Sequence, residues 1–191
     1  FINFQNPEEL VRLANKDQAH RGPDYQGSWI HENVGLAHQR LSIIDLSERS
    51  NQPYIKDGYI PIFNGEIYNY RELKAGLEKE CGAQFATSGD TEVVLEAYRH
   101  WGNGCLQEFI GMFAFAIYSQ HTKVLFLARD HFGIKPLCYT LQGNRFAFSS
   151  ELKTLLKVPG IRKPLNSFSL LASLNYLWIP GHESMIKGID K

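Results

Sequence analysis

The sequence predicts an α+β fold in which antiparallel sheets are covered by helices. Three observations predict it. Residues 109–118 (FIGMFAFAIY) and 124–128 (VLFLA) are apolar on both alternating faces, and only residues 119–123 separate them. They therefore form an antiparallel hairpin that needs cover on each side. Residues 137–141 and 145–148 form a second hairpin around Gly143-Asn144, and helical periodicity falls in separate blocks. That combination implies a layered α+β architecture.

The elements follow in order. Pro7-Glu8-Glu9-Leu10 is a helix start, with Pro early and acids in the first turn, and the helix runs to about Ala19 before His20-Arg21-Gly22-Pro23-Asp24 breaks it. Residues 28–30 and 34–44 read as extended, and 45–53 as a polar loop. Residues 59–63 form an apolar strand that ends at Asn64-Gly65. Tyr70, Leu73 and Leu77 mark an amphipathic helix closed by Cys81-Gly82. Val94, Ala97, Tyr98 and Trp101 mark another, ended by Gly102, and further helices follow at 151–157 and 166–176. There are no internal repeats and no linker, so residues 1–191 read as one domain, large enough for a core without staples.

Composition removes several function classes. With 20 basic and 20 acidic residues the formal charge is zero, which argues against a nucleic-acid partner. No apolar run reaches membrane-spanning length. Cys81, Cys105 and Cys138 are odd in number and lack CxxC spacing, so they read as reduced thiols in a cytoplasmic compartment. The histidines show no ligand spacing, so no metal site is expected.

Polar residues at the edges of apolar runs carry the chemistry. Arg40 offers a planar fork for a carboxylate, Glu66 and Asp90 offer acceptors for an ammonium, and Asn64 and Gly65 offer donors to an oxyanion. Together they suit a pocket that holds a free amino acid and exposes its side-chain amide to attack. Each has a plainer reading. Asn64-Gly65 fits a two-residue hairpin turn, Asp90 a helix N-cap, Arg40 a surface ion pair and Glu66 a solvated strand position. Arg129-Asp130 reads as a structural ion pair, and Arg21 and Asp24 can pair across a tight turn. No cysteine has the placement of an activated thiolate.

HRGPD, GLAHQRLSIIDLS, QP, FNGEIYNY, FATSGDTEVVLEAY, GMFAFAIY, LARDHFGIKPL and FSSELKTLL stand in this order along almost the whole chain. In that order they resemble the N-terminal glutaminase domain of the asparagine synthase-like, class II glutamine amidotransferases. The resemblance implies an N-terminal-nucleophile hydrolase fold, a four-layer αββα sandwich of two antiparallel sheets. It also implies hydrolysis of L-glutamine to glutamate and ammonia by a cysteine that follows the removed initiator Met, with its own α-amine as base.

Carried over by motif, Arg40 would hold the glutamine α-carboxylate, with Leu41, Ser42, Ile43 and Ile44 lining the pocket. Asn64 and Gly65 would form the oxyanion hole, and Glu66 and Asp90 would hold the α-ammonium. The family text opens Cys-Gly-Ile-x-Gly and runs into the segment that stands here as FINF, so the nucleophile is expected just ahead of Phe1 and is missing from these residues. Lesser departures are His131, where a basic residue is usual, and Cys138, where Tyr is common. The segment IPGHESMIKGIDK resembles the approach to a C-terminal synthetase domain. ATP and Mg are expected only in that domain, and no cofactor in this one. A homodimer is an open expectation, and residues 170–180 read equally as a core helix or as a contact for the synthetase domain. The alternative to glutaminase activity is a glutaminase-like domain with a structural or interaction role.

Overall fold

The computed structural model describes residues 1–191. In chain order the elements are α1 (Pro7–Asp17), β1 (Tyr25–His31), β2 (Val34–Arg40), β3 (Tyr59–Ile67), α2 (Tyr70–Cys81), α3 (Asp90–Trp101), α4 (Cys105–Glu108), β4 (Gly111–Ser119), β5 (Leu125–Arg129), β6 (Cys138–Gln142), β7 (Arg145–Ser149), α5 (Leu152–Lys157) and α6 (Ser167–Tyr176). They gather into two compact units, one of Phe1–Gln18, Trp29–Leu36 and Pro136–Lys191, the other of Ala19–Ser28 and Ala37–Lys135. No helix is long and apolar enough to cross a membrane.

The second unit is built on the antiparallel sheet β3-β4-β5. Phe63 and Ile67 of β3 and Phe113, Phe115 and Ile117 of β4 share one face by strand alternation, and they pack against Leu73 and Leu77 of α2 and Val93, Val94 and Ala97 of α3. Burying each such side chain contributes roughly 1.5–3 kcal/mol, which makes this cluster the platform that fixes β3. Gly82 closes α2 in the left-handed conformation (φ 69°), as its sequence signal requires.

The first half of α3 is buried all round, Glu92 included at 1% exposure. A buried carboxylate persists only when its lone pairs are met. Glu92 accepts from the N–H groups of Ala86 and Thr87, the Thr87 hydroxyl, Tyr54 Oη (3.1 Å) and Lys56 Nζ (2.7 Å). Lys56 also reaches Glu96 at 2.9 Å.

In the first unit, β6 and β7 form the second predicted hairpin. Ile2 bridges to both Val34 of β2 and Phe146 of β7, and Asp190 bridges to Tyr139 of β6, so short chain segments extend the hairpins into a wider antiparallel array. Helix α1 is tied to α5 through Asp17, whose carboxylate accepts from the Thr154 hydroxyl (2.6 Å) and from Lys157 Nζ.

Four local expectations are corrected. The extended run 34–44 stops at Arg40, because hydrogen bonds from the Arg40 guanidinium and to the Asp24 carboxylate hold residues 41–47 in a loop. The strand expected to end at Asn64-Gly65 runs on to Ile67, since β4 continues to pair with it, so this dipeptide is not a hairpin turn. Arg129 and Asp130 serve the same loop separately. Arg129 donates to the carbonyls of Gly133 (2.6 Å) and Lys135 (2.7 Å), while Asp130 accepts the N–H groups of Phe113, Phe132, Ile134 and Lys135. Finally, α6 is not a core helix: only Ser169 and Ala172 are buried, and Phe168, Leu171, Leu174, Leu177 and Trp178 are exposed, Leu177 at 92%.

Candidate active site

The site is built on the open edge of β3. One side of this strand pairs with β4, and the other side has no strand partner. Main-chain groups point alternately to the two sides of a strand. At Phe63 the N–H donates outward to Gln52 Oε1 (2.6 Å), and the carbonyl meets His38 Nε2 (3.1 Å). At Ile67 the N–H donates outward to Asp90 Oδ2 (3.0 Å). Across the ladder, Phe113, which faces Gly65, turns its own N–H and carbonyl toward Asp130. Gly65 therefore points its N–H to the same open edge, between the two capped positions, and no group beyond the ladder accepts it.

The neighbouring side chain adds a second donor. Asn64 Nδ2 is buried and has no hydrogen-bond partner. Two adjacent residues thus present unpaired N–H groups, an arrangement that costs free energy unless an acceptor is bound. Gly65 is required for packing as well, because a Cβ there would lie 2.3 Å from the Met112 carbonyl oxygen.

Asp90 and Glu66 flank these donors. Asp90 is the first residue of α3 and Gly89 is its N-cap, so the N-cap reading does not hold. The Asp90 carboxylate is spent on the β3 edge instead. Burial pushes its pKa up to about 6, the Ile67 N–H opposes that rise, and the charge of Glu66 adds to it. The Glu66 carboxylate makes no ion pair or hydrogen bond, its main chain being paired with β4. The Glu66 charge thus disfavours the charged form of Asp90, an electrostatic setting that an ammonium would relieve.

Arg40, buried at the end of β2, organises the loop that follows. Its Nη1 donates to the Ser47 carbonyl (3.0 Å) and to Asn51 Oδ1 (2.7 Å), and its Nη2 to the Asp45 carbonyl. A guanidinium has five N–H donors, so two remain, the Nε–H among them. Asp45 accepts from Ser47 N–H (2.8 Å) and from the N–H and hydroxyl of Ser88 (2.9 Å each). Burial raises its pKa and these hydrogen bonds more than offset that, holding it well below the usual carboxylate range. Next to Asn51, Gln52 donates to Thr91 Oγ1 at 3.2 Å. The Arg40 loop is thereby wired both to β3 and to the start of α3.

Arg40, Asn64, Gly65, Glu66 and Asp90 therefore belong to one connected region. Of the expected lining residues, Leu41 and Ile43 expose their side chains, Ser42 N–H is taken by Asp24 Oδ2 (2.7 Å), and Ile44 is half-buried. Reading the sequence missed His38, Asp45 and Gln52. All three lie inside the quoted motifs GLAHQRLSIIDLS and QP, but only Asp45, between Ile44 and Leu46, carried the signal of a polar residue between apolar neighbours. No three His, Cys, Asp or Glu side chains gather as a group that could hold a metal ion. Cys105 is buried, which pushes its thiol up to about 11, and Cys81 at the end of α2 donates to the Leu77 carbonyl.

Comparison with known proteins decides the family. The glutamine amidotransferase domain family matches residues 1–191. The chain belongs to that family. The amidotransferase domain is 48% identical over 151 residues to asparagine synthetase [glutamine-hydrolyzing] 1 of Bacillus subtilis, covering 78% of this chain and 24% of that protein. It is 41% identical over 181 residues to the putative asparagine synthetase [glutamine-hydrolyzing] 2 of Methanocaldococcus jannaschii, covering 83% and 34%. The chain thus spans about a quarter to a third of the length of these curated relatives. Among solved structures, glutamine phosphoribosylpyrophosphate amidotransferase of B. subtilis superposes with a TM-score of 0.55 at 24% identity, covering 66% of this chain and 29% of that one. The amidotransferase domain thus has the N-terminal-nucleophile hydrolase fold.

Proposed function

We propose that this domain hydrolyses L-glutamine and delivers ammonia to an ATP-dependent synthetase portion of an asparagine synthetase-like enzyme. The observation that carries the proposal is the pair of unpaired donors at the β3 edge, Asn64 Nδ2 and the Gly65 N–H. They would stabilise the oxyanion formed when a thiolate adds to the glutamine side-chain carbonyl. The two remaining donors of Arg40 would take the α-carboxylate side-on, and Glu66 and Asp90 the α-ammonium. Collapse of the tetrahedral adduct expels ammonia and leaves a thioester, which water hydrolyses to glutamate. The thiolate, by family resemblance, belongs to a cysteine ahead of Phe1. The reaction is cytoplasmic on this reading, and the domain itself uses no cofactor.

Recognition of the ammonia acceptor belongs to the synthetase portion, and aspartate, a sugar acid or another carboxylate suits the same glutaminase chemistry. The exposed apolar face of α6 and its extension, Phe168, Leu171, Leu174, Leu177 and Trp178, is the surface proposed to dock the synthetase portion.

The test uses protein that carries Cys-Gly-Ile-x-Gly ahead of Phe1, with the initiator Met removed. Ammonia release from glutamine is measured alongside calorimetric titration of glutamine. Turnover with saturable binding supports the proposal. Glutamine binding without turnover would remove the catalytic part, and no binding at all would leave the domain a structural or interaction role.

A further inference from the structure

His38 is the one half-buried histidine, and its ring lies in this region. Its Nε2 lies 3.1 Å from the Phe63 carbonyl, and its Nδ1 is buried without a partner. A carbonyl only accepts, so Nε2 carries the proton and the ring is the neutral Nε2–H tautomer. A second proton on Nδ1 would place a cation in a closed site that already feels the Arg40 charge, and burial and that charge hold the pKa down at about 4.

Gln52 completes the arrangement from the other side of the same residue. Its Oε1 accepts the Phe63 N–H at 2.6 Å, and its Nε2 is anchored on Thr91. Both outward main-chain groups of Phe63 are therefore held by side chains from β2 and from the loop after it. Phe63 immediately precedes Asn64 and Gly65. The β4 ladder holds the inner side of this strand, and on its open side these two side chains are what hold the main chain at Phe63, beside donors that an oxyanion hole needs closely aimed.

We propose that His38 and Gln52 are positioning residues for glutamine hydrolysis: clamped on the two main-chain groups of Phe63, they aim the Asn64 side-chain amide and the Gly65 N–H at the reacting carbonyl. The proposal rests on the glutaminase reading above. It assigns neither residue a contact with substrate, and it requires that their loss weaken the transition state more than the bound substrate.

The experiment uses the Cys-bearing protein and compares His38→Gln, His38→Asn and Gln52→Leu. A glutamine amide nitrogen reaches where His Nε2 stood, whereas an asparagine amide reaches only the Nδ1 position. His38→Asn and Gln52→Leu lose about ten- to hundredfold in kcat with KM within threefold, and His38→Gln recovers most of that loss. Melting temperatures are recorded for every variant. Unchanged kcat in His38→Asn overturns the proposal. So does an equal loss in His38→Gln, or a loss that follows the unfolded fraction. Should His38→Asn not fold, Gln52→Glu, which keeps the acceptor for Phe63, is set against Gln52→Leu, and equal kcat in that pair overturns it. If the unsubstituted Cys-bearing protein releases no ammonia, the glutaminase reading fails instead.

Discussion

Asp90 Oδ2 accepts the main-chain N–H of Ile67 at 3.0 Å, two residues along β3 from Gly65. This bond pins the first turn of α3 to the open edge of the sheet. An acidic side chain is thereby fixed close to two unpaired donors, with the hydrophobic cluster of α2, α3 and β4 holding both in place.

The raised pKa of Asp90, about 6, gives a signed prediction for binding. An α-ammonium favours the carboxylate form, so glutamine binding lowers this pKa and releases a proton near pH 6. Affinity weakens as pH falls from 7 to 5. Calorimetry at pH 5.5 in buffers of different ionisation enthalpy measures the released proton, and Asp90→Asn abolishes it. A buffer-independent enthalpy would contradict the assignment of Asp90 to the ammonium.

The same group works against the ligand-free fold. Its folded pKa lies above its value of 3.8 in the unfolded chain, so between about pH 4 and 6 the folded state binds more protons. Stability from this site therefore falls as pH rises through that window and stays reduced above it. At pH 7.5 Asp90→Asn melts at the same or a higher temperature than the unsubstituted protein, and a lower melting temperature counts against a strained carboxylate.

Removing the unpaired amide tests the oxyanion assignment. In Cys-bearing protein, Asn64→Ala lowers kcat for ammonia release by about a hundred- to a thousandfold, with a smaller change in KM. A KM effect alone would make Asn64 a substrate-binding residue with no part in the chemical step.

Gly65→Ala is a stability experiment more than a catalytic one. The added Cβ would meet the Met112 carbonyl oxygen at 2.3 Å, and backbone on both strands must shift. Urea denaturation detects a loss of about 2 kcal/mol or more, the cost of overpacking a closed site. An unchanged midpoint would show that β3 and β4 part without penalty here.

Glu92→Ala costs about 3 kcal/mol, because it strands buried N–H groups of Ala86 and Thr87 and removes a partner of Lys56. Lys56→Ala costs less, since Glu92 keeps its other donors. Chemical denaturation of the two single variants and the double variant reads the difference directly.

Much of the fold was legible in the residues themselves. Apolar alternation on both faces located the hairpin of β4 and β5, i, i+3 spacing located α2 and α3, and Gly82 ended α2 where its φ requires it. The polar residues proposed for the site were named from their motifs. Their local settings could not be. Asn64-Gly65 has the composition of a turn, and only pairing with β4 makes it the interior of a strand. Asp90 has the composition of a cap, and only the nearness of β3 turns it outward to Ile67.

The linear text by itself located most of the strands and helices, the antiparallel hairpins, and the polar residues that interrupt the apolar runs, because these follow from periodicity and from the shape of each side chain. Which N–H groups are left unpaired, which carboxyl is pushed toward neutrality, and which histidine has a buried ring nitrogen were decided by tertiary structure alone. Those properties depend on what stands opposite each group, and residues as distant as His38, Gln52, Phe63 and Asp90 become neighbours only when the sheet and its helices have packed.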